Sequence, residues 1–345
     1  GETTRRAACR IMPLAKSAVQ LSGLTDAPRR KKHSSRHWAL ANLSTSDYNP
    51  AVAECSAFQQ KPLAFIERLE HMNTLAVLSV MVVAQGAAQD ELAHPDYPDV
   101  VFNCDFESDT WFRQWGAAKS PKRTQLVLSD PNRKFEPLRG RALRVRVDRG
   151  GHYGLSLAFP FQKRLGYEPE DVYFRYYLRL ADDWKPKRGG KLPGFGGTYG
   201  RAGWGGRPVD GTDGWSARGL FSGQKDGRTP IGFYCYHMQM KGRYGSNLRW
   251  DRDGLGLLEN NRWYCIEQHV KLNTPTQDDG ELGGWVDGRL AFEKTDVRFR
   301  SVDTLRIECV WINVYLCGTW TAESDHHLYM DDVVISKRPI GPWKE

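Results

Sequence analysis

From about residue 100 onward, hydrophobic and polar residues alternate along the chain in short runs. Side chains at positions i and i+2 of a β-strand point to the same face, so this alternation predicts strands with one buried face. In Ala142–Val147, for example, Leu143, Val145 and Val147 share one face. Further predicted strands occupy residues 101–106, 172–180, 263–272, 284–292, 305–314 and 327–335.

The spacing of these runs indicates the fold class. Turn residues separate them, and no amphipathic helix of about a dozen residues lies between them. Many strands without intervening helices are typical of two packed antiparallel sheets rather than of an α/β fold. The sequence therefore predicts an all-β sandwich, a single domain over residues 99–341, with a hairpin turn at Asp287-Gly288. Glycine-rich residues 185–190 and 194–200 are instead expected to be unstructured, as a long functional loop or a disordered stretch.

Residues 1–98 differ from the rest of the chain. Residues 1–71 lack sustained apolar periodicity and are predicted to be a disordered or spurious upstream extension. Their basic run at residues 29–32 has a nuclear signal or a nucleic-acid-binding arm as its alternative interpretation.

Met72 precedes an apolar run at residues 75–84 and small residues at 84–89, a pattern typical of a secretory signal peptide. Residues 72–98 are thus expected to be a signal-peptide-like segment with a short linker, and the protein is expected to be secreted or periplasmic. A short buried helix is the alternative for the apolar run.

The net charge of +8 is concentrated upstream. Residues 1–71 hold 11 Lys and Arg against 6 Asp and Glu, which leaves the rest of the chain almost balanced at about +3. We therefore expect no nucleic-acid partner. The apolar run at residues 75–84 is too short to span a bilayer, so no stable membrane insertion is expected, and the protein is expected to be a monomer. Aromatic residues make up 12% of the chain and include 12 tryptophans. In a β-protein such residues often line a groove for sugar rings, although packing alone accounts for most tryptophans.

The sequence gives little support to metal or disulfide chemistry. The seven cysteines contain no Cys-x-x-Cys pair, so a structural zinc site is not expected, and no disulfide can be assigned. No cofactor is expected to be required. Four carboxylates of the predicted first and last strands could converge on a structural Ca²⁺, but an ordinary polar edge is the simpler interpretation. These carboxylates belong to Asp105, Glu107, Asp331 and Asp332.

Candidate chemistry is concentrated between residues 189 and 239. Lys191 lies in the glycine-rich stretch. Ser216 and Arg218 share one strand face, and Tyr234 and Tyr236 share a face of another strand. Cations beside phenols suit proton transfer by tyrosine near neutral pH, and they also suit the binding of an acidic sugar. The simpler interpretation assigns no site: Lys191 is a solvated turn residue, the Ser-x-Arg pair lies on an exposed strand, and the Tyr-x-Tyr pair is an aromatic face that packs on a neighbouring strand.

Six separated motifs lie in order along the chain. They read GGKLPGFGG, GWSARG, YCYHMQ, NRWYCIEQHVKLNTP, GWVDGRLAFEKTD and HLYMDDVVIS. Over roughly residues 100–340 they resemble polysaccharide lyases of family 14. The resemblance implies a β-jelly-roll that cleaves acidic polysaccharides, such as alginate or glucuronan, by β-elimination. It implies that the family's catalytic lysine is Lys191 and that its Ser-x-Arg pair is Ser216 and Arg218. It also implies that the family's Tyr-x-Tyr pair is Tyr234 and Tyr236.

β-Elimination of a uronate needs a group that neutralises the carboxylate, a base for the C5 proton and an acid for the departing O4. Arg218 suits the carboxylate because a planar guanidinium binds carboxylates bidentately, and Lys191 is expected to share this role or to polarise a phenol. Tyr234 or Tyr236 is expected to act as base and acid, with a pKa lowered from about 10 by the nearby cations. Which tyrosine takes which role stays open.

Three further residues are expected to bind the substrate. Ser216 is expected to form a hydrogen bond with the sugar. His237 and Gln239 lie on the strand face opposite Tyr236 if the strand is regular, and they rank below it. The expected function is a secreted lyase acting on an acidic polysaccharide. The alternatives are a non-catalytic carbohydrate-binding jelly-roll and a glycoside hydrolase that uses Glu267 with a second acid.

Overall fold

The described part of the chain is built almost entirely of β-strands. A computed structural model of the protein describes residues 99–343. Two short helices, α1 (Trp111–Gln114) and α2 (Phe161–Leu165), and 3-10 turns at Pro131–Arg133 and Arg252–Gly254 accompany the strands. The strands are β1 (Val100–Cys104), β2 (Thr124–Val127), β3 (Ala142–Val147), β4 (Tyr153–Pro160), β5 (Asp171–Leu180), β6 (Gly190–Gly197), β7 (Trp215–Phe221), β8 (Arg228–Tyr236), β9 (Ser246–Arg249), β10 (Leu257–Glu259), β11 (Trp263–Lys271), β12 (Gly280–Val286), β13 (Arg289–Val297), β14 (Cys309–Leu316) and β15 (His326–Ser336).

Two of the predicted segments cannot be compared with this architecture. The predicted extension over residues 1–71 and the predicted signal segment over residues 72–98 both lie outside the described residues. Within residues 99–343, no helix is long and apolar enough to cross a membrane.

The strands form two antiparallel sheets. Sheet 1 has eight strands in the order β13-β12-β11-β5-β15-β3-β2, and β1 also pairs with β15. Sheet 2 has seven strands in the order β10-β8-β7-β6-β14-β4, and β9 also pairs with β8. Every ladder between these strands is antiparallel. The predicted all-β sandwich of two antiparallel sheets is confirmed.

The hydrophobic core lies between the two sheets. Phe174 of sheet 1 meets Phe195 of sheet 2 edge to face, with ring centroids 6.0 Å apart. In β7 and β8, Ala217 and Phe233 are fully buried in this core. Because side chains alternate along a strand, the residues next to Ala217 in β7 and next to Phe233 in β8 point away from the core. These residues form the outer face of sheet 2, where the candidate residues collect.

The hairpin between β12 and β13 turns where the sequence predicts it. Asp287 (φ 51°) and Gly288 (φ 76°) both adopt positive φ, as a two-residue type I′ turn requires. The Asp287 carboxylate also accepts hydrogen bonds from the Cys265 N–H at 2.9 Å and from the Arg262 guanidinium at 2.8 Å. The turn is thereby anchored to the neighbouring strand β11.

The predicted glycine-rich loop is wrong over residues 190–197, which form β6 in the middle of sheet 2. All eight residues of β6 are buried. Glycine is depleted in strands because it has no side chain to pack, so the composition argued against a strand. Here the packing requires a residue without a side chain, since a Cβ on Gly196 would lie 2.7 Å from the Trp311 ring. The glycine therefore makes room for a large side chain of the neighbouring strand.

Candidate functional site

The outer face of sheet 2 collects candidate residues from neighbouring strands. Ser216 of β7 pairs with Tyr236 of β8, and Arg218 pairs with Tyr234. Residues that are paired directly across an antiparallel ladder point to the same face. The serine–arginine pair and the tyrosine pair therefore share one surface of the molecule.

A β-bulge turns Lys191 toward this face as well. The register of β6 against β7 shifts between Leu192 and Gly194, so Pro193 is an extra residue in the ladder. In a regular strand, residues three positions apart, such as Lys191 and Gly194, would point to opposite faces. The bulge reverses this parity. Lys191 consequently stands on the outer face beside Tyr315 of β14, with which it pairs.

The Lys191 side chain is buried between an aromatic ring and a thiol. Its Nζ lies 3.2 Å from the centroid of the Tyr234 ring and donates a hydrogen bond to Cys317 Sγ at 2.9 Å. The residue is only 2% exposed. Burial penalises the charged amine and lowers the pKa of Lys191 from 10.5 to about 8, and the charge of Arg218 acts in the same direction. A fraction of the lysine is therefore neutral near pH 7 and able to accept a proton.

Arg218 is held against two aromatic residues of β14. Its Nη1 donates a hydrogen bond to the Tyr315 hydroxyl at 2.9 Å, and its Cζ lies 5.4 Å from the centroid of the Trp311 ring. Arg218 is 7% exposed, and its Nε has no hydrogen-bond partner within the described part of the chain. A buried guanidinium with an unused N–H favours an anion, and a carboxylate matches its planar geometry.

The two tyrosines are adjacent but lie in different environments. Their ring centroids are 5.5 Å apart and their planes meet at 81°. Tyr234 is half-buried, whereas Tyr236 is buried and its hydroxyl accepts a hydrogen bond from the Gly206 N–H at 2.9 Å. Burial raises the pKa of Tyr234, Tyr236 adds to this effect, and the attraction of Arg218 does not offset it. The prediction that nearby cations lower the pKa is therefore wrong for Tyr234, which is a neutral phenol that can donate its proton.

Ser216 connects β7 to the loop over residues 198–214. Its side chain is fully buried, and its Oγ donates a hydrogen bond to the Gly203 carbonyl oxygen at 2.6 Å. Gly203 has φ +81°, and a Cβ there would meet the backbone of Trp215 at 2.7 Å, so the loop can approach the strand this closely only with glycine. The Ser216 hydroxyl therefore already donates its hydrogen bond to the loop. The expected hydrogen bond from Ser216 to a sugar stays a prediction.

His237 and Gln239 form a separate group. Nδ1 of His237 lies 3.2 Å from Gln239 Oε1, and its Nε2 lies 3.0 Å from Ser246 Oγ. Gln239 in turn donates a hydrogen bond to the Asp296 carbonyl oxygen at 2.7 Å, which ties the end of β8 to β13. Burial lowers the pKa of His237. The structure places these two residues with β9 and β13 rather than with the lysine and the arginine, and their contact with substrate stays a prediction.

Four residues around this site were not predicted from the sequence. Three of them alternate along β14, while the valine and isoleucine residues between them face the core. The i, i+2 rule that singles out Tyr-x-Tyr would have found this Trp-x-Asn-x-Tyr pattern as well. The fourth is a thiol whose contact with the lysine depends on the pairing of β14 with β6, which no local pattern reveals. These residues are Trp311, Asn313, Tyr315 and Cys317.

The four carboxylates of the first and last strands do not form a metal-binding group. Asp332 accepts a hydrogen bond from Arg175 at 2.8 Å, and the Asp105 carboxylate accepts the Glu107 N–H at 3.1 Å. Asp331 is 2% exposed, burial raises its pKa to about 8, and one of its carboxylate oxygens has no hydrogen-bond partner in the described part of the chain. Across residues 99–343, no group of three or more His, Cys, Asp or Glu residues is arranged to hold a metal ion. The structural Ca²⁺ stays a prediction without geometric support.

Glu267, the candidate acid of the hydrolase alternative, lies on sheet 1. Its two carboxylate oxygens accept the backbone N–H groups of Ile340 at 2.9 Å and Gly341 at 2.7 Å. The side chain therefore anchors the segment that follows β15, and it belongs to the other sheet from Lys191 and Arg218.

Comparisons with known proteins relate the chain to one enzyme family. The family model described as polysaccharide lyase 14 matches residues 149–333, a stretch that contains Lys191, Arg218 and both tyrosines. The fold is similar to that of the alginate lyase Aly36B, with a TM-score of 0.54, 20% identity, and coverage of 68% of this chain and 92% of that one. It is also similar to that of the marine PL-14 alginate lyase from Aplysia kurodai, with a TM-score of 0.52, 17% identity, and coverage of 70% of this chain and 99% of that one.

A third similar structure contains a sugar. It is a double variant of Aly36B, with one lysine and one tyrosine replaced by alanine, in complex with alginate tetrasaccharide. Its TM-score is 0.55 at 19% identity, with coverage of 70% of this chain and 94% of that one. Comparison with curated protein sequences finds no significant match. The predicted β-jelly-roll fold is confirmed by these similarities.

Proposed function

The chain belongs to polysaccharide lyase family 14, and we propose that, as a polysaccharide lyase, it cleaves a uronate-containing polymer by β-elimination on the outer face of sheet 2. One observation carries this proposal. Lys191 Nζ lies 3.2 Å from the centroid of the Tyr234 ring, and Arg218 pairs with Tyr234 in the ladder. A base, an acid and an anion-binding group are thus adjacent on one surface, as elimination at a uronate requires.

The reaction begins when the substrate carboxylate binds to Arg218. The guanidinium neutralises this carboxylate and stabilises the negative charge that develops as C5 loses its proton. Neutral Lys191 takes the C5 proton, the electron pair of the C5–H bond forms the C4–C5 double bond, and the C4–O4 bond breaks. Tyr234 donates its hydroxyl proton to the departing O4. The Lys191 ammonium then returns a proton to the Tyr234 phenolate, which restores both groups.

The contact between base and acid has a stereochemical consequence. Because Lys191 lies against Tyr234, C5 loses its proton and O4 gains one on the same side of the sugar ring. This arrangement suits sugars in which H5 and O4 are cis, as in β-D-mannuronate and β-D-glucuronate. It disfavours α-L-guluronate, in which they are trans. Mannuronate blocks of alginate and glucuronan are therefore the first substrates to test, with guluronate blocks as the comparison.

Ultraviolet absorbance tests the proposed chemistry, because the new C4–C5 double bond is conjugated with the carboxylate. The wild-type protein is expected to generate absorbance from mannuronate blocks or glucuronan. Lys191→Met and Tyr234→Phe are expected to lower kcat by about 100-fold or more. The matched variants Lys241→Met and Tyr167→Phe change exposed residues and are expected to retain activity. Full activity of both site variants would overturn the assigned roles, and polymer retention without chain shortening would contradict cleavage itself.

Export is a further part of the proposal. The apolar run at residues 75–84 and the small residues at 84–89 support a secretory signal. A chain that includes residues 72–98 is expected to reach the periplasm or the medium and to lose its signal segment, and a chain without these residues is expected to stay in the cytoplasm. Cell fractionation followed by N-terminal sequencing checks this expectation. Equal cytoplasmic retention of both chains would contradict it.

A further inference from the structure

One polar residue of the outer face has no role in the reaction described above. Asn313 lies in β14 between Trp311 and Tyr315, and these three side chains point away from the core while Ile312 and Val314 point into it. Asn313 is only 4% exposed. A strand position that is polar, buried and turned away from the hydrophobic core is unusual, because burial of an amide is unfavourable without hydrogen bonds.

The Arg218 guanidinium lies close to the two aromatic residues on either side of this amide along β14. Its Cζ is 5.4 Å from the centroid of the Trp311 ring and 5.6 Å from that of the Tyr315 ring, so it is flanked by the two residues that flank Asn313. Its Nη1 is bonded to the Tyr315 hydroxyl at 2.9 Å. Asn313 therefore borders the place where Arg218 is proposed to receive the sugar carboxylate.

Each of these two side chains has a buried polar atom without a hydrogen-bond partner among residues 99–343. They are Nε of Arg218 and Oδ1 of Asn313, and both residues are more than nine-tenths buried. In folded proteins the great majority of buried polar atoms are hydrogen-bonded, so both exceptions point to a ligand at this face: the Arg218 N–H lacks an acceptor, and the Asn313 amide in this orientation lacks a donor. A rotation of the amide by 180° exchanges its oxygen and its NH₂ group at little steric cost.

We propose that Asn313 is a second carboxylate-binding residue, whose side-chain NH₂ group and the Arg218 guanidinium together hold the uronate carboxylate during cleavage. This inference rests on the proposed function. A neutral amide adds a hydrogen bond to the carboxylate without adding a charge, and it fixes the orientation of the carboxylate plane relative to C5. The orientation matters because the negative charge delocalises into the carboxylate when C5 loses its proton.

The chemical identity of the bound group decides how Asn313 variants behave. If the amide donates to a carboxylate, Asn313→Asp places one carboxylate against another, and like charges in a buried site repel strongly. The loss in kcat/KM at pH 7, relative to wild type, is then expected to exceed about 100-fold, and this ratio of wild type to variant at the same pH is expected to shrink as the pH falls and the introduced carboxyl takes up a proton. If Oδ1 instead accepts a sugar hydroxyl, the aspartate accepts it equally well and activity persists at pH 7.

The experiment measures kcat/KM for mannuronate blocks from pH 5 to pH 8. Asn313→Ser is expected to lose roughly 10- to 100-fold, as for one hydrogen bond to a charged group. Asn313→Asp is expected to show the larger loss at pH 7 and a ratio to wild-type kcat/KM at the same pH that rises toward pH 5. The matched variant Asn132→Asp makes the same change at an exposed turn and is expected to leave activity and its pH dependence unchanged.

A binding measurement separates this role from a purely structural one. In a Lys191→Met background, where cleavage is blocked, adding Asn313→Ser is expected to weaken binding of a mannuronate oligosaccharide by calorimetry roughly 10-fold or more. Unchanged binding, or an aspartate variant as active as wild type at pH 7, would overturn the inference. Absence of ultraviolet product from the wild-type protein on every polyuronate would overturn the proposed function instead, so the two failures are distinguishable.

Discussion

Replacement of Lys191 by methionine is expected to stabilise the protein while it abolishes cleavage. Methionine nearly preserves the length of the side chain and removes the amine. In the folded protein, burial holds the pKa of Lys191 at about 8, whereas a lysine in the unfolded chain titrates near 10.5. The unfolded chain therefore binds more protons than the folded protein between these pH values, and the stability of the wild type rises with pH across this window.

The size of the effect follows from the two pKa values. At pH 7 the fold buries a charged amine, which costs about 3 kcal/mol relative to a neutral one, and at pH 9 the remaining cost is about 2 kcal/mol. Loss of the contact between Nζ and the Tyr234 ring offsets about 0.5–2 kcal/mol of the gain. Lys191→Met is therefore expected to raise the free energy of unfolding by about 1–3 kcal/mol at pH 7, and this gain is expected to shrink by about 1 kcal/mol at pH 9.

Urea unfolding followed by tryptophan fluorescence at pH 7 and pH 9 measures this difference. Lys241→Met serves as the control, because Lys241 is exposed and its replacement is expected to change stability by less than about 0.5 kcal/mol. Two results would refute the reasoning. One is a Lys191→Met variant less stable than wild type at both pH values, and the other is a gain that does not decrease at pH 9.

Three further predictions concern Lys191, its neighbour Cys317 and the buried carboxyl of Asp331 on the other sheet. With Lys191 as the base, kcat/KM is expected to rise by about tenfold between pH 7 and pH 9 as the neutral fraction grows, and a flat profile would contradict this role. Iodoacetamide is expected to inactivate the enzyme by alkylating Cys317, because Cys317 Sγ contacts Lys191 Nζ while the other four described cysteines are buried. Cys317→Ala is expected to stay active and to resist the reagent. Equal inactivation of that variant would contradict Cys317 as the site of alkylation. Asp331→Asn is expected to raise the thermal midpoint more at pH 8 than at pH 5. The reason is that burial raises the pKa of this carboxyl to about 8, so the wild type loses stability as the pH rises from about 4 toward 8. Equal shifts at the two pH values would argue against a buried carboxyl of raised pKa.

The alternation of the sequence predicted those parts of the fold that depend on one strand at a time. Leu143, Val145 and Val147 do share a buried face, and the hairpin does turn at Asp287 with two positive φ angles. Strand β6 was missed for a physical reason. Gly196, for example, is unfavourable in an isolated strand and becomes favourable only when the Trp311 ring packs against it, and that ring comes from a strand far along the chain.

The candidate site also has a part that the sequence predicts strand by strand and a part that depends on the pairing of strands. The i, i+2 rule finds the Ser-x-Arg and Tyr-x-Tyr pairs within their strands, but the order of strands in sheet 2 decides that these pairs meet. The bulge at Pro193 decides that Lys191 joins them. The contact between Lys191 and Cys317 spans 126 positions of the sequence. Such contacts follow from sheet pairing, which local hydrophobic patterns do not encode.

Burial also explains why the proton-transfer roles that we propose differ from those expected from the sequence. Proximity of a cation to a phenol favours the charged pair, an ammonium beside a phenolate, through Coulomb attraction. Removal of water disfavours both charged forms, and in this site it is the larger effect: it lowers the pKa of Lys191 to about 8 and raises that of Tyr234. The same desolvation thus favours a neutral amine beside a neutral phenol. Those are the protonation states in which one group can take the C5 proton while the other protonates O4, so a buried lysine base with a tyrosine acid follows from the site more directly than a tyrosine base.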